Sequence, residues 1–135
     1  MRIAHMEQLT DQFQNTVKSM LIRHQSILDI LSKGQESSAR VNRAVVKSVT
    51  SCGCHAINAH KKPVPPDASL ADLKELLDSQ LEGFICDNCR DIIEAELGKQ
   101  LFYIAALSNT LNISLTDVLD LEYKKLQTLT IFNLT

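Results

Sequence analysis

Four cysteines in two close pairs are the feature that most constrains how this chain folds. Cys52 and Cys54 lie in the segment Ser-Cys-Gly-Cys-His, and Cys86 and Cys89 lie in Cys-Asp-Asn-Cys. Two cysteines so close together can present two sulfurs to one ion from a single turn, and Gly53 relieves the backbone strain of the tighter pair. We therefore expect the chain to fold back so that both pairs meet.

Two such pairs supply the ligands of a tetrahedral site. Four thiolates with no open position are typical of a structural zinc, which joins distant segments and activates no water. Disulfides are not expected in a reducing compartment. We predict zinc ligands at Cys52, Cys54, Cys86 and Cys89, with His55 as a second choice for one of them. An iron-sulfur cluster, reversible thiol oxidation and inert cysteines are the alternatives.

Apolar residues recur at steps of three and four along most of the chain, and no segment alternates with period two. This pattern predicts an all-α fold, a helical bundle with a cysteine-bearing loop region between helices. Ser69 with Asp72, and Ser114 with Asp117, are capping pairs that open helices. Gly34 is expected to end the first helix. We predict one domain over residues 1–135, with helices at 1–34, 39–50, 69–82, 88–110 and 114–128 and an extended, proline-containing loop at 55–68.

The composition favours an ordinary soluble domain. The 135 residues are 44% apolar and carry 14 basic and 16 acidic side chains, which gives a formal net charge of −2. A balance so close to neutral provides no general attraction for nucleic acid or anionic lipid. Charged and amide residues interrupt the first twenty positions, and we find no membrane anchor, so we expect a cytoplasmic protein.

Two further features of the predicted helices bear on binding. Arg40, Arg43 and Lys47 form a basic strip on the second helix, which is either a solvated face or a surface that binds anions such as nucleotides. His24 lies on the apolar stripe of the first helix, where a packed histidine is the expected role and a metal ligand the alternative. The nearly heptad spacing of that stripe is compatible with self-association.

The last third of the chain resembles a known family. Residues 94–126 contain Glu-Leu-Gly-Lys, then the apolar and aromatic run Leu-Phe-Tyr-Ile-Ala-Ala-Leu, then Ile-Ser-Leu and finally Tyr-Lys-Lys-Leu. This order resembles the third and fourth core helices of the MazG-like all-α nucleoside triphosphate pyrophosphohydrolases. The resemblance implies a helical bundle assembled as a homodimer or homotetramer, with Mg²⁺ held by acidic motifs on facing helices.

The acidic motifs of that family are degenerate in this chain. Glu96 falls on the second motif, Glu-x-x-Asp, but Lys99 stands where its aspartate is expected. On the helix that would supply the first motif, Glu-x-x-Glu, basic residues and Asn42 stand where acids are expected. Phosphoanhydride hydrolysis needs several carboxylates to hold its hard cations.

We therefore expect a non-enzymatic MazG-like protein with a structural zinc site and a binding or regulatory role, and we predict no catalytic residue. The alternative is a divergent Mg²⁺-dependent nucleoside triphosphate pyrophosphohydrolase. Such an enzyme would use Glu94 and Glu96 with groups from a partner chain. Glu94 and Asp91 otherwise belong to a solvated helix face.

Overall fold

The protein is mostly helical. A computed structural model describes residues 2–21 and 25–129, and these residues form α-helices joined by a π-helical turn and two short strands. The helices are α1 (Arg2–Met20), α2 (Ile27–Lys47), α3 (Leu70–Leu76), α4 (Asp87–Thr110) and α5 (Leu115–Leu129); the π-helical turn is Ser48–Cys52, and the strands are β1 (His55–Ile57) and β2 (Leu81–Gly83). The predicted all-α class is confirmed, apart from the small sheet. Within the described ranges, no helix has the length and apolar character needed to cross a membrane.

The chain groups into two compact units. The first, which we call the helical unit, is built from the described parts of Met1–Ala39 and Leu97–Thr135. The second, which we call the cysteine unit, is Arg40–Glu96.

The helical unit has a small apolar core. Its buried side chains come from four helices and are Val17, Ile30, Ala105, Ala106 and Leu115. The Gln14 side chain links α1 to the start of α5. Its Oε1 accepts a hydrogen bond from the Leu115 amide at 2.8 Å, and its Nε2 donates to the Ile113 carbonyl at 2.7 Å. The Gln14 side chain therefore satisfies backbone groups at the start of α5 that the helix cannot pair itself.

The predicted first helix, 1–34, is two helices. A new helix begins at Ile27 because Ser26 caps it: the Leu28 amide donates to Ser26 Oγ at 3.2 Å. Gly34 lies inside α2 and does not end it, since one glycine costs only about 1 kcal/mol within a helix. The predicted second helix, 39–50, is the end of α2 and most of the π-helical turn. His24 lies outside the described residues, so its predicted role stays a prediction.

The predicted helix 69–82 is also too long. Its start is right, because Ser69 and Asp72 form a reciprocal capping box, but α3 ends at Leu76. Residues Leu81–Gly83 pair instead with His55–Ile57 in an antiparallel ladder. Leu77 and Leu81, which lie within the predicted helix, are 51% and 47% exposed. Three-residue strands are too short to show a period of two, which is why the sequence did not predict them.

The two C-terminal helices agree closely with their predictions. Helices α4 and α5 match the predicted 88–110 and 114–128 within one residue at each end. The Asp117 amide donates to Ser114 Oγ at 3.2 Å, as the predicted cap requires. The loop predicted at 55–68 begins with β1 and is otherwise irregular as far as the N-cap of α3.

Candidate metal centre

The first cysteine pair lies on a sharp turn at the end of α2. The helix widens into the π-helical turn Ser48–Cys52, and Gly53 then adopts a left-handed conformation with φ of 74°. The Gly53 amide donates to the Ser48 carbonyl at 3.0 Å, which closes the turn. This reversal brings Cys54 back beside Cys52, in the role that the sequence predicts for Gly53.

The second cysteine pair lies at the start of α4. Cys86 directly precedes the helix and Cys89 is in its first turn. The Cys89 amide donates to Cys86 Sγ at 3.4 Å, so the sulfur acts as an N-terminal cap. Helix N-termini stabilise anions, and the site therefore favours a thiolate at Cys86.

The two-stranded sheet brings the pairs together. His55, which follows Cys54, pairs with Gly83, which lies three positions before Cys86. Gly83 has φ of 84°, and a Cβ atom there would lie 3.4 Å from the Cys54 carbonyl oxygen. Glycine is therefore favoured by the left-handed backbone conformation, and a Cβ there would only come into van der Waals contact with the neighbouring strand.

The four sulfurs converge as predicted. Each of the four Sγ atoms, of Cys52, Cys54, Cys86 and Cys89, lies within 4.8 Å of the others, and all four cysteines are free thiols. The Sγ atoms of Cys52 and Cys86 are 3.8 Å apart. Sulfurs bound tetrahedrally to one ion at about 2.3 Å lie about 3.8 Å from each other. The four cysteines could therefore hold one metal ion with little movement.

The thiols of the second pair have different acidities. Hydrogen bonds from the Cys89 amide and then the Cys89 thiol lower the pKa of Cys86 from 9.0 to about 7. Burial, followed by hydrogen bonding to Cys86, raises the pKa of Cys89 to about 12. Cys86 is thus the thiolate that can first attract a cation, whereas Cys89, which is 6% exposed, needs the cation to displace its proton.

His55 is not a member of this sulfur cluster, and the structure contradicts the second choice of His55 as a ligand. Its Nε2 lies 2.6 Å from Ser48 Oγ, and both residues are buried. The sequence pattern does not predict this pair. The signal for the pair in the sequence is that Ser48 and His55 lie on either side of Cys52 and Cys54.

The basic strip contains an ion pair. Arg40 Nε lies 3.5 Å from Glu96 Oε2, and the Glu96 side chain is 17% exposed. Arg43 and Lys47 are exposed. The structure thus places the cationic side chain of Arg40 beside Glu96.

Among residues 2–21 and 25–129, the cysteines form the one cluster of three or more side chains that could hold a metal ion. Asp91 and Glu94 are exposed and belong to no such cluster. Comparisons with protein-family profiles, with characterised proteins and with solved structures found no match to this chain.

Proposed function

We propose that Cys52, Cys54, Cys86 and Cys89 bind one structural zinc ion. The observation that carries the proposal is the mutual distance of the four Sγ atoms, each within 4.8 Å of the others. Soft thiolates select zinc over hard cations such as Mg²⁺. Four protein ligands leave no open position for water or substrate, so the ion stabilises the fold and performs no chemistry. In an iron-sulfur cluster of several irons the thiolates bind different atoms, which suits a wider spacing.

The small amount of apolar burial in the cysteine unit supports this role. The buried residues in Arg40–Glu96 are Ser48, His55 and Cys89, and none of them is a large apolar side chain. A unit with so little apolar burial needs another source of stability, and small domains commonly obtain it from a metal. The ion would fix the end of α2 to the start of α4 across the intervening loop.

Metal analysis of protein purified without chelator tests the proposal. We expect one equivalent of zinc per chain, lost in Cys86→Ser and retained in Ser51→Ala, a matched control in the same unit. If the purified protein contains iron and acid-labile sulfide in place of zinc, the cysteines hold an iron-sulfur cluster. Metal-free protein whose thermal stability is unchanged by added zinc would overturn the proposal.

We further propose that this metal-stabilised protein is MazG-like and has a binding or regulatory role without hydrolysis. The ion pair between Arg40 and Glu96 supports this, because the positive charge of the Arg40 guanidinium would repel a Mg²⁺ ion bound to Glu96. Lys99, where the family has aspartate, removes a second ligand. Incubation with a panel of nucleoside triphosphates and Mg²⁺ tests the proposal, and we expect no pyrophosphate release.

The alternative, a divergent pyrophosphohydrolase, makes the opposite prediction for the same assay. It requires pyrophosphate release that is abolished by Glu96→Gln and unaffected by Glu122→Gln, an exposed glutamate on α5. That result would establish the enzyme and refute the non-enzymatic role. Nucleotide binding by the basic strip without hydrolysis would appear as salt-sensitive binding that Arg43→Ala and Lys47→Ala weaken.

The exposed apolar side chains of the helical unit favour a homo-oligomer. Leu9, Leu101 and Leu119 are 58%, 53% and 54% exposed on three different helices. Exposed apolar side chains that form one contiguous patch are typical of an interface, and we propose that these leucines contribute to such a patch. We propose a dimer or tetramer, which sedimentation tests: we expect Leu101→Glu to dissociate it, and a monomer at micromolar concentration would contradict it.

A further inference from the structure

The hydrogen-bonded pair of Ser48 and His55 encloses the first cysteine pair. Ser48 is the first residue of the π-helical turn, and His55 is the first residue of β1. Their side chains are joined at 2.6 Å and are 2% and 9% exposed. The bond thus closes a loop that carries two of the four sulfurs, from a position that solvent hardly reaches.

The direction of this bond follows from the available protons. The Ser48 hydroxyl donates to the Val45 carbonyl at 2.6 Å, one turn earlier in α2. A serine hydroxyl has one proton, so the second contact must be one in which Ser48 Oγ accepts. His55 Nε2 therefore carries a proton and donates it to Ser48. In this arrangement the imidazole does not act as a base toward the hydroxyl, and the pair is not an activated nucleophile.

The backbone of Ser48 holds the same loop. Its carbonyl accepts from the Gly53 amide at 3.0 Å and from the Cys54 thiol at 3.7 Å. A cysteine that binds a metal is a thiolate and has no proton to donate, so the second of these bonds is lost in the metal-bound form. The Gly53 amide and the bond between Ser48 and His55 then remain to fix the loop.

We infer that Ser48 and His55 are positioning residues, which hold Cys52 and Cys54 in the geometry that the ion requires. This inference rests on the proposed metal function. Hydrogen bonds around metal ligands commonly change metal affinity by about 10–100-fold. Here the bond orients the backbone on both sides of the cysteine pair, so it reduces the conformational freedom that the ligands would lose on binding.

Competition between the purified protein and a chromophoric zinc chelator tests the inference. We expect Ser48→Ala and His55→Leu each to weaken zinc binding by about 10–100-fold. Ser51→Ala in the same turn and His60→Leu in the following loop are matched controls, expected to bind like wild type. The double variant should bind no more weakly than the weaker single variant, because both substitutions remove one bond.

His55→Gln separates positioning from simple packing. The amide nitrogen of glutamine lies as many bonds from Cβ as histidine Nε2 does, and it can donate to Ser48 Oγ. We expect this variant to bind zinc within about threefold of wild type, although it lacks the ring. A loss of about tenfold or more in His55→Gln would overturn the inference, and this comparison stands even where Ser48→Ala or His55→Leu does not fold.

The result also separates the two levels of the proposal. Wild-type protein that binds no zinc would refute the metal site itself. Wild-type protein that binds zinc tightly, with Ser48→Ala and His55→Leu equal to Ser51→Ala, would refute the positioning role and leave the metal site standing.

Discussion

Cys52 Sγ lies 3.8 Å from Cys86 Sγ, although the two residues are 34 positions apart in the chain. The first sulfur is at the end of a π-helical turn and the second caps the start of α4. Neither position has a large apolar side chain buried beside it in the cysteine unit. The contact therefore joins two segments that apolar packing does not hold together, and this is the place where the proposed zinc ion would stabilise the cysteine unit.

Removal of the metal should loosen the cysteine unit more than the helical unit. The bond from the Asn58 amide to the Gln80 carbonyl and the ladder between β1 and β2 lie in the cysteine unit, which we propose the ion stabilises. The core around Val17 and Ala105 lies in the helical unit, which contains none of the four cysteines. Hydrogen exchange with and without chelator should show lost protection in Arg40–Glu96 and retained protection in α1. Equal loss in both would contradict this account.

Zinc affinity should rise with pH, and more steeply below about pH 7 than above it. Cys86, whose pKa is lowered to about 7, becomes protonated below that pH, so zinc must then displace one more proton on binding. Cys89, whose pKa is raised to about 12, gives up a proton on binding throughout this range. Competition titrations from pH 6 to pH 8 measure the slope of log affinity against pH. A slope that is constant across pH 7 would contradict the low pKa of Cys86.

Alanine at two glycines should have opposite effects. Gly53 has φ of 74°, a conformation that costs other residues about 1–2 kcal/mol. Gly34 lies within α2, and a Cβ there would meet Tyr103 Cβ at 3.8 Å, an ordinary contact. We expect Gly53→Ala to destabilise the protein by about 1 kcal/mol or more, and Gly34→Ala to stabilise it by about 0.5–1 kcal/mol. Denaturant unfolding measures both effects. Destabilisation by Gly34→Ala would contradict the ordinary contact between position 34 and Tyr103.

Gln14 should contribute more to stability than the exposed polar residues of α1. Its side chain pairs with the Leu115 amide and the Ile113 carbonyl, and Gln14→Ala leaves both without a protein partner. We expect a loss of about 0.5–1.5 kcal/mol in the free energy of unfolding, because the exposed Ile113 carbonyl can bind water instead. Gln12→Ala, at an exposed position on the same helix, is the matched control and should change it by less than about 0.5 kcal/mol. Equal effects of the two substitutions would refute the role of Gln14 in starting α5.

The parts of the fold that the sequence predicted are those with local determinants. The capping pairs at Ser69 and Ser114 and the long apolar pattern of α4 depend on neighbours within a few positions. The short strands depend on a partner far along the chain, so Leu81 fitted a helical pattern equally well. Gly34 fits the pattern of a helix end because glycine is common there, but the surrounding helix tolerates it.

The candidate site was predicted to a similar extent. The type and spacing of the cysteines were enough to predict that they converge, because few other arrangements of four thiols are common. The pairing of Arg40 with Glu96 and of Ser48 with His55 depends on three-dimensional contacts that the spacing of residues in the sequence does not predict. The identity of the ion and the MazG-like role stay predictions.

X-ray absorption at the zinc edge of the metal-loaded protein measures the central claim most directly. We predict a first shell of four sulfurs at about 2.3 Å from the zinc, with no nitrogen or oxygen ligand. Loss of one sulfur in Cys86→Ser and an unchanged shell in Ser51→Ala would complete the result. A shell that contains nitrogen or oxygen in place of sulfur would contradict the assignment of Cys52, Cys54, Cys86 and Cys89 as the four ligands.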